Sequence, residues 1–243
     1  MQQPQKVVLI TGASRGLGRE LARQFSRRGA ALILTARGAS DLEAVERELS
    51  TDGEVFTLAG DVADPGHAAR LVRRGEERFG RIDVLINNAS TVGPSPMPQL
   101  AVYPPEALLD VFRVNVVAPL SLIQLVLPGM RTRGEGVIVN LTSDAAVEAY
   151  PGWGGYGASK AALEHASRVL AAELAGSGVR VYVVDPGDMN TAMHRAAEPG
   201  VDLSHLPGPD VPAPAVVALL ERETTPFGRF LLSQLISATG GRV

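Results

Sequence analysis

The stretch Tyr156-Gly-Ala-Ser-Lys160 places a phenol and an ammonium four positions apart, with only small residues between them. On a helix, side chains at i and i+4 share a face. A free tyrosine has a pKa of about 10 and is a poor base at neutral pH. A neighbouring lysine cation favours the phenolate. Such a pair would titrate as one coupled system suited to acid–base catalysis. Gly157, Ala158 and Ser159 leave room for a substrate and a cofactor to approach.

A second constellation, Thr11-Gly-Ala-Ser-Arg-Gly-Leu-Gly18, follows the first apolar run. Glycines at 12, 16 and 18 permit positive φ and close backbone approach to a ligand. A helix beginning at Leu17 would point its N-terminal amides and positive dipole end at a phosphate. Ser14, Arg15 and Leu17 complete the loop. At the end of the second apolar run a NAD site usually carries an acid for the ribose 2′-hydroxyl. No acid occurs there before Asp41, and Arg37 stands in its place. Arg37 and Arg15 could clamp a 2′-phosphate with charge-assisted bonds, so NADP(H) is expected over NAD(H).

These groups need a scaffold, and the hydrophobic pattern describes one. Runs at 6–10, 31–36, 54–59, 84–86, 136–141, 179–184 and 229–232 read as strands, several apolar throughout as strands buried on both faces should be. Helices are expected near 16–28, 41–51, 66–79, 105–130, 156–176 and 212–222. Such alternation predicts an α/β fold, a mostly parallel doubly wound sheet flanked by helices on both faces. No linker or repeat divides the 243 residues, so one domain over 1–243 is expected, with a mobile substrate flap around 188–214.

Composition narrows the function classes. Hydrophobic residues make up 45% and charged residues 20%, which gives a large core and argues against disorder. A net charge of −3 gives no sign of a nucleic-acid partner. There is no cysteine, which removes disulfides and thiolate chemistry, and the four histidines show no metal-ligand spacing. The first apolar run is too short for a secretory core, and Asn115, Pro119, Ser121 and Gln124 interrupt the longest one. A cytoplasmic protein without a membrane or metal partner is expected.

In order along the chain, Thr11-Gly-xxx-Gly16-x-Gly18, Asp61-Val62, Asn87-Asn-Ala89, Asn115, Ser143, Tyr156-xxx-Lys160 and Pro186-Gly187 resemble the short-chain dehydrogenase/reductase family in its compact single-domain form. The likeness runs from residue 6 to about 191. The resemblance implies a Rossmann-type domain. It makes Tyr156 the general acid/base and Lys160 its electrostatic partner and a ligand of the nicotinamide ribose. Ser143, thirteen positions before Tyr156, would hold the substrate oxygen, and Asn115 would support a water on the proton path to Lys160. Asp61 and Val62 would lie at the adenine, and Asn88 and Ala89 along the cofactor ribose. Pro186, Gly187, Met189 and Thr191 would frame the nicotinamide. The family usually reads Asn-Asn-Ala-Gly; here Ser90 replaces that glycine and must fit beside the cofactor.

Val92, Val147, Tyr150, Trp153, Met189, Met193 and His194 are candidate substrate contacts. Most are apolar or amphipathic, which suggests a medium-sized, largely uncharged carbonyl or alcohol. Leu122, Leu125, Val126, Leu163, Val169 and Leu170 exceed what one sheet contact should bury, and the family pairs these helices between subunits, so a homodimer or homotetramer is expected. The leading function is an NADP-dependent carbonyl reductase or alcohol dehydrogenase. A 3-oxoacyl-carrier-protein reductase is a branch of it that would need basic residues such as Arg131, Arg133 or Arg168 near the mouth. A nucleotide-sugar epimerase and a non-catalytic NADP-binding sensor or scaffold are the alternatives outside it.

Overall fold

A computed structural model describes residues 5–51 and 53–234. Seven strands form one parallel sheet: β1 (Val7–Thr11), β2 (Ala31–Ala36), β3 (Val55–Ala59), β4 (Val84–Asn87), β5 (Gly136–Leu141), β6 (Val179–Asp185) and β7 (Phe227–Leu231). Their order is β3-β2-β1-β4-β5-β6-β7. Strands β1, β2, β4 and β5 are buried along their whole length, as their unbroken apolar runs require, whereas β3 and β7 at the edges are half-buried. The last strand begins two residues earlier than its pattern predicts, because Phe227 already pairs with Val181.

The helices are α1 (Gly16–Ser26), α2 (Ala39–Leu49), α3 (Pro65–Phe79), α4 (Pro105–Phe112), α5 (Ala118–Arg133), α6 (Gly154–Glu173), α7 (Ala192–Ala197) and α8 (Pro212–Arg222). Local chemistry sets several ends. Asp64 accepts the Gly66 amide and Pro65 opens α3, while Gly80 closes it at φ +76°. Helices α1, α2 and α8 supply one apolar cluster with Leu34, Val139 and Val184. Helices α3 and α5 supply the other with Leu9, Ile33 and Ile138. Each such aliphatic side chain, fully buried, contributes about 1.5–3 kcal/mol.

The expected helix over 105–130 is continuous from Pro105 to Arg133 but not uniform. Residues Arg113–Val117 form a π-helical turn between α4 and α5. By length and composition this is the one described helix long and apolar enough to cross a membrane, yet Leu122, Ile123, Val126 and Met130 lie in the core against the sheet. Leu122, Val126 and Leu163, three of the residues expected in excess of the core, are fully buried within the protomer. Segment 188–214 contains α7, which its Pro- and Gly-rich composition conceals.

Candidate active site

The strand order reverses between β1 and β4, and a cleft opens at the carboxyl ends of the strands there, where doubly wound sheets bind ligands. Its volume is about 1670 Å³. Gly12, Ser14, Arg15, Gly16 and Leu17 line one end with Arg37, Asp61 and Val62, and Ala89, Ser90, Ser143, Tyr156, Lys160, Pro186, Gly187, Met189 and Thr191 line the rest. The expected cofactor residues thus fall along one surface, with two of them turned to other work.

Gly18 sits behind the cleft wall. A Cβ there would stand 2.3 Å from the Gly12 carbonyl oxygen and 2.6 Å from Asn88 Nδ2. Asn88 lines the cleft, but its amide donates to the carbonyls of Thr11 (2.8 Å) and Gly12 (3.2 Å) and so ties the loop to β4. Thr11, which opens the glycine motif but takes no expected role in it, accepts the amides of Asn88 and Ala89 through its Oγ1, each at 3.0 Å.

The loop residues fit a dinucleotide phosphate. Helix α1 starts at Gly16 with no side-chain cap and no acid in its first turn, which leaves its N-terminal amides to an anion. Gly16, at φ +56°, has only a methyl of Thr191 near where a Cβ would lie. Arg15 and Arg37 are exposed and make no ion pair among the described residues.

The reacting end is built on α6 and the turn after β5. Tyr156 and Lys160 share the buried face of α6, with Nζ 5.5 Å from the Tyr156 ring centre. Lys160 Nζ donates to the Leu141 carbonyl at 2.8 Å. Burial pulls Lys160 down to about 8. The Tyr156 phenol is pushed up, first by burial and then by the charge of Asp185, while the hydroxyls of Ser143 and Ser90 oppose the rise. In the free protein burial thus opposes the phenolate that a neighbouring cation favours. Desolvation outweighs a cation whose own charge burial weakens.

Ser143 caps the short turn Asp144–Ala146 and donates to Asp144 Oδ1 at 2.8 Å; Tyr150 donates to Asp144 Oδ2 at 2.8 Å. These bonds, with the Ala145 amide, hold the Asp144 carboxyl below its usual range against the opposing effect of burial. Neither Asp144 nor the ion cluster behind it was foreseen. Glu164 on α6 accepts from Thr142 Oγ1 (2.8 Å) and from Arg229 Nε (3.0 and 3.1 Å), and Arg229 lies 3.7 Å from Asp185. Sequence spacing could not pair Glu164 with a residue 65 positions away.

Asn115 is 1% exposed and does not line the cleft. Its Oδ1 accepts from Ser90 Oγ (3.0 Å) and the Thr91 amide (2.9 Å); its Nδ2 donates to the Thr91 carbonyl and to Ser159 Oγ, each at 2.9 Å. These four bonds fully engage the side chain, which leaves it no group for the expected water.

Around Tyr156, Val92, Ala145 and Ala197 form a small apolar cluster with Met97 and Trp153. Trp153 meets Tyr156 edge-on at 5.7 Å and His194 at 6.2 Å. His194 is no loose surface group: Nδ1 lies 3.2 Å from the Met189 carbonyl and Nε2 3.3 Å from Glu198. Tyr150 and Met193 border the cleft, but Val147 does not; it is 65% exposed beyond the rim. The Ser95 hydroxyl donates to the Ala196 carbonyl, joining the two walls.

A parallel Rossmann-like sheet, an uncapped helix over a glycine loop and a buried Tyr–Lys pair in the same cleft define a nicotinamide-dependent oxidoreductase. Residues 6–202 match the family model for short chain dehydrogenases, and the chain belongs to that family, whose members act on alcohol and carbonyl groups. It is 38% identical over 191 residues to the 2-(R)-hydroxypropyl-CoM dehydrogenase of Xanthobacter autotrophicus, covering 77% of this chain and 76% of the relative. Among solved structures it resembles the alcohol dehydrogenase of Thermococcus sibiricus in complex with 5-hydroxy-NADP (TM-score 0.83, 29% identity, 93% of this chain and 95% of that one). A short chain dehydrogenase of Shigella flexneri in complex with NADP is equally similar (TM-score 0.83, 30% identity, 94% and 97%).

Proposed function

We propose that the chain is an NADP(H)-dependent oxidoreductase that interconverts an alcohol with an aldehyde or ketone, with Tyr156 as general acid/base. The observation that carries this reading is the convergence of Tyr156, Ser143 and Lys160 on the cleft wall opposite the uncapped start of α1. A bound nicotinamide cofactor supplies and accepts the hydride. The protein holds the substrate oxygen and moves its proton. Arg15 and Arg37, both on the cleft, would clamp the cofactor's 2′-phosphate. Ser143 turns its hydroxyl from Asp144 to the substrate oxygen, and Tyr156 shares that oxygen and delivers or removes the proton. Lys160 offsets the charge left on the phenolate. Val92, Trp153 and Met193, with Tyr150 and His194 at the edge, favour a medium-sized and largely uncharged substrate.

A carrier-protein substrate gains no support from the three arginines expected to meet it. Arg133 donates to the Ile82 carbonyl, Arg168 pairs with Glu164, and neither they nor Arg131 line the cleft. A non-catalytic scaffold has no need of a complete acid–base set.

The test is NADPH consumption across aldehydes, ketones, quinones and 3-oxoacyl thioesters, beside Tyr156→Phe. The variant should lose at least about 100-fold in turnover while still binding NADPH. Activity within tenfold of the parent would rule out the assignment of Tyr156.

A further inference from the structure

Ser90 stands where the family usually has glycine, and its hydroxyl is not idle. The Thr91 amide can only donate and the Thr91 carbonyl can only accept, so the two sides of the Asn115 amide are fixed. Ser90 Oγ faces the oxygen side at 3.0 Å and must therefore donate to it. Through Asn115 it is tied to Ser159, three positions after Tyr156 on α6, and Ser90, Ser143 and Tyr156 line the same cleft. Ser143 has given its own proton to Asp144 Oδ1, a carboxylate held ionised. In the free protein both serine protons are thus given to groups other than Tyr156.

Loss of the Tyr156 proton changes what the site must supply. A phenolate needs donors, and Asn115 Oδ1 keeps the Thr91 amide if Ser90 leaves it. We propose that Ser90 is a positioning residue for proton transfer, donating to Asn115 Oδ1 while Tyr156 is a phenol and turning to donate to the Tyr156 oxygen once that proton has gone. A glycine at this position could not do so. The inference rests on the acid–base role proposed for Tyr156. The other groups facing Tyr156 are Lys160 on its own helix, Asp185 at the end of β6 and Asp144 after β5. His194 on α7 reaches Trp153 instead. None of these charges is altered by a change at Ser90.

The test is a pH titration of protein carrying 13Cζ-labelled tyrosine and saturated with NADP+. The chain has four tyrosines, and the Tyr156 signal is the one missing from Tyr156→Phe. In Ser90→Ala the Tyr156 midpoint should rise by about one pH unit, the effect of one lost hydrogen bond to a charged group. Ser90→Thr, which keeps the hydroxyl, should titrate with the parent, and Ser90→Gly serves if the alanine variant does not fold. Equal midpoints in the parent and Ser90→Ala would overturn the inference, even if stability or KM changed. So would a Tyr156 that stays a phenol across the accessible range. Turnover retained by Tyr156→Phe would instead overturn the proposed function and leave the midpoint comparison readable.

Discussion

Arg15 and Arg37 show how a residue can be legible in sequence and still need a structure to give it meaning. One sits within the glycine loop and the other after β2, and only the β1–β2 pairing brings the two loops to one end of the cleft. Among the described residues neither guanidinium group has a carboxylate partner, which leaves their donors to a phosphate. Replacing both with alanine should weaken NADPH binding by about ten- to a hundredfold, the worth of one or two charge-assisted bonds, and change NADH binding less than about twofold. Fluorescence titration with each cofactor reads the difference. Equal loss for both cofactors would place the arginines elsewhere than at a 2′-phosphate. Tyr156 carries the opposite lesson. Its spacing from Lys160 was plain in the sequence, but the balance of forces on its proton depends on burial and on Asp185.

At the scale of elements, Arg229 is the clearest case of a fold held by a contact no local pattern reveals. It lies in edge strand β7 and binds the carboxylate of Glu164 on α6, near Asp185 at the end of β6. Glu164 is itself 4% exposed. Removing one partner of a buried pair leaves the other charge unsatisfied. Arg229→Ala should cost about 3 kcal/mol in urea unfolding, and replacing Glu164 and Arg229 together with apolar residues should restore much of it. A single variant as stable as the parent would mean that water already serves these charges. The π-helical turn at 113–117 is a second feature of this kind. It buries Asn115 against Thr91 and Ser159, but its sequence reads as ordinary helix.

At the scale of the whole molecule, the helices expected to pair between subunits are partly occupied within one. Leu122, Val126 and Leu163 belong to the protomer's own interior, while Leu109, Val117, Leu125 and Val169 remain exposed on α4, α5, α6 and the turn between α4 and α5. We propose that these four cover a second copy. Sedimentation equilibrium should give a dimer or tetramer of the 25.5 kDa chain, and a variant with Leu125→Glu and Val169→Glu should move toward the protomer. A monomeric parent at micromolar concentration would refute this.

The sequence by itself determined the α/β alternation, the glycine loop, the two loop arginines and the Tyr–Lys pair, because each depends on local periodicity or on a short spacing. Only the tertiary structure decided that Gly18 and Asn88 serve the loop's packing, that Val147 lies outside the cleft, that His194 is held by Met189 and Glu198, and that Ser90 bonds to Asn115. Those facts arise where strand ends distant in sequence meet, and local spacing carries no information about what a side chain finds there. Burial, the force that most alters the chemistry of Tyr156 and Lys160, exists only once those ends have come together.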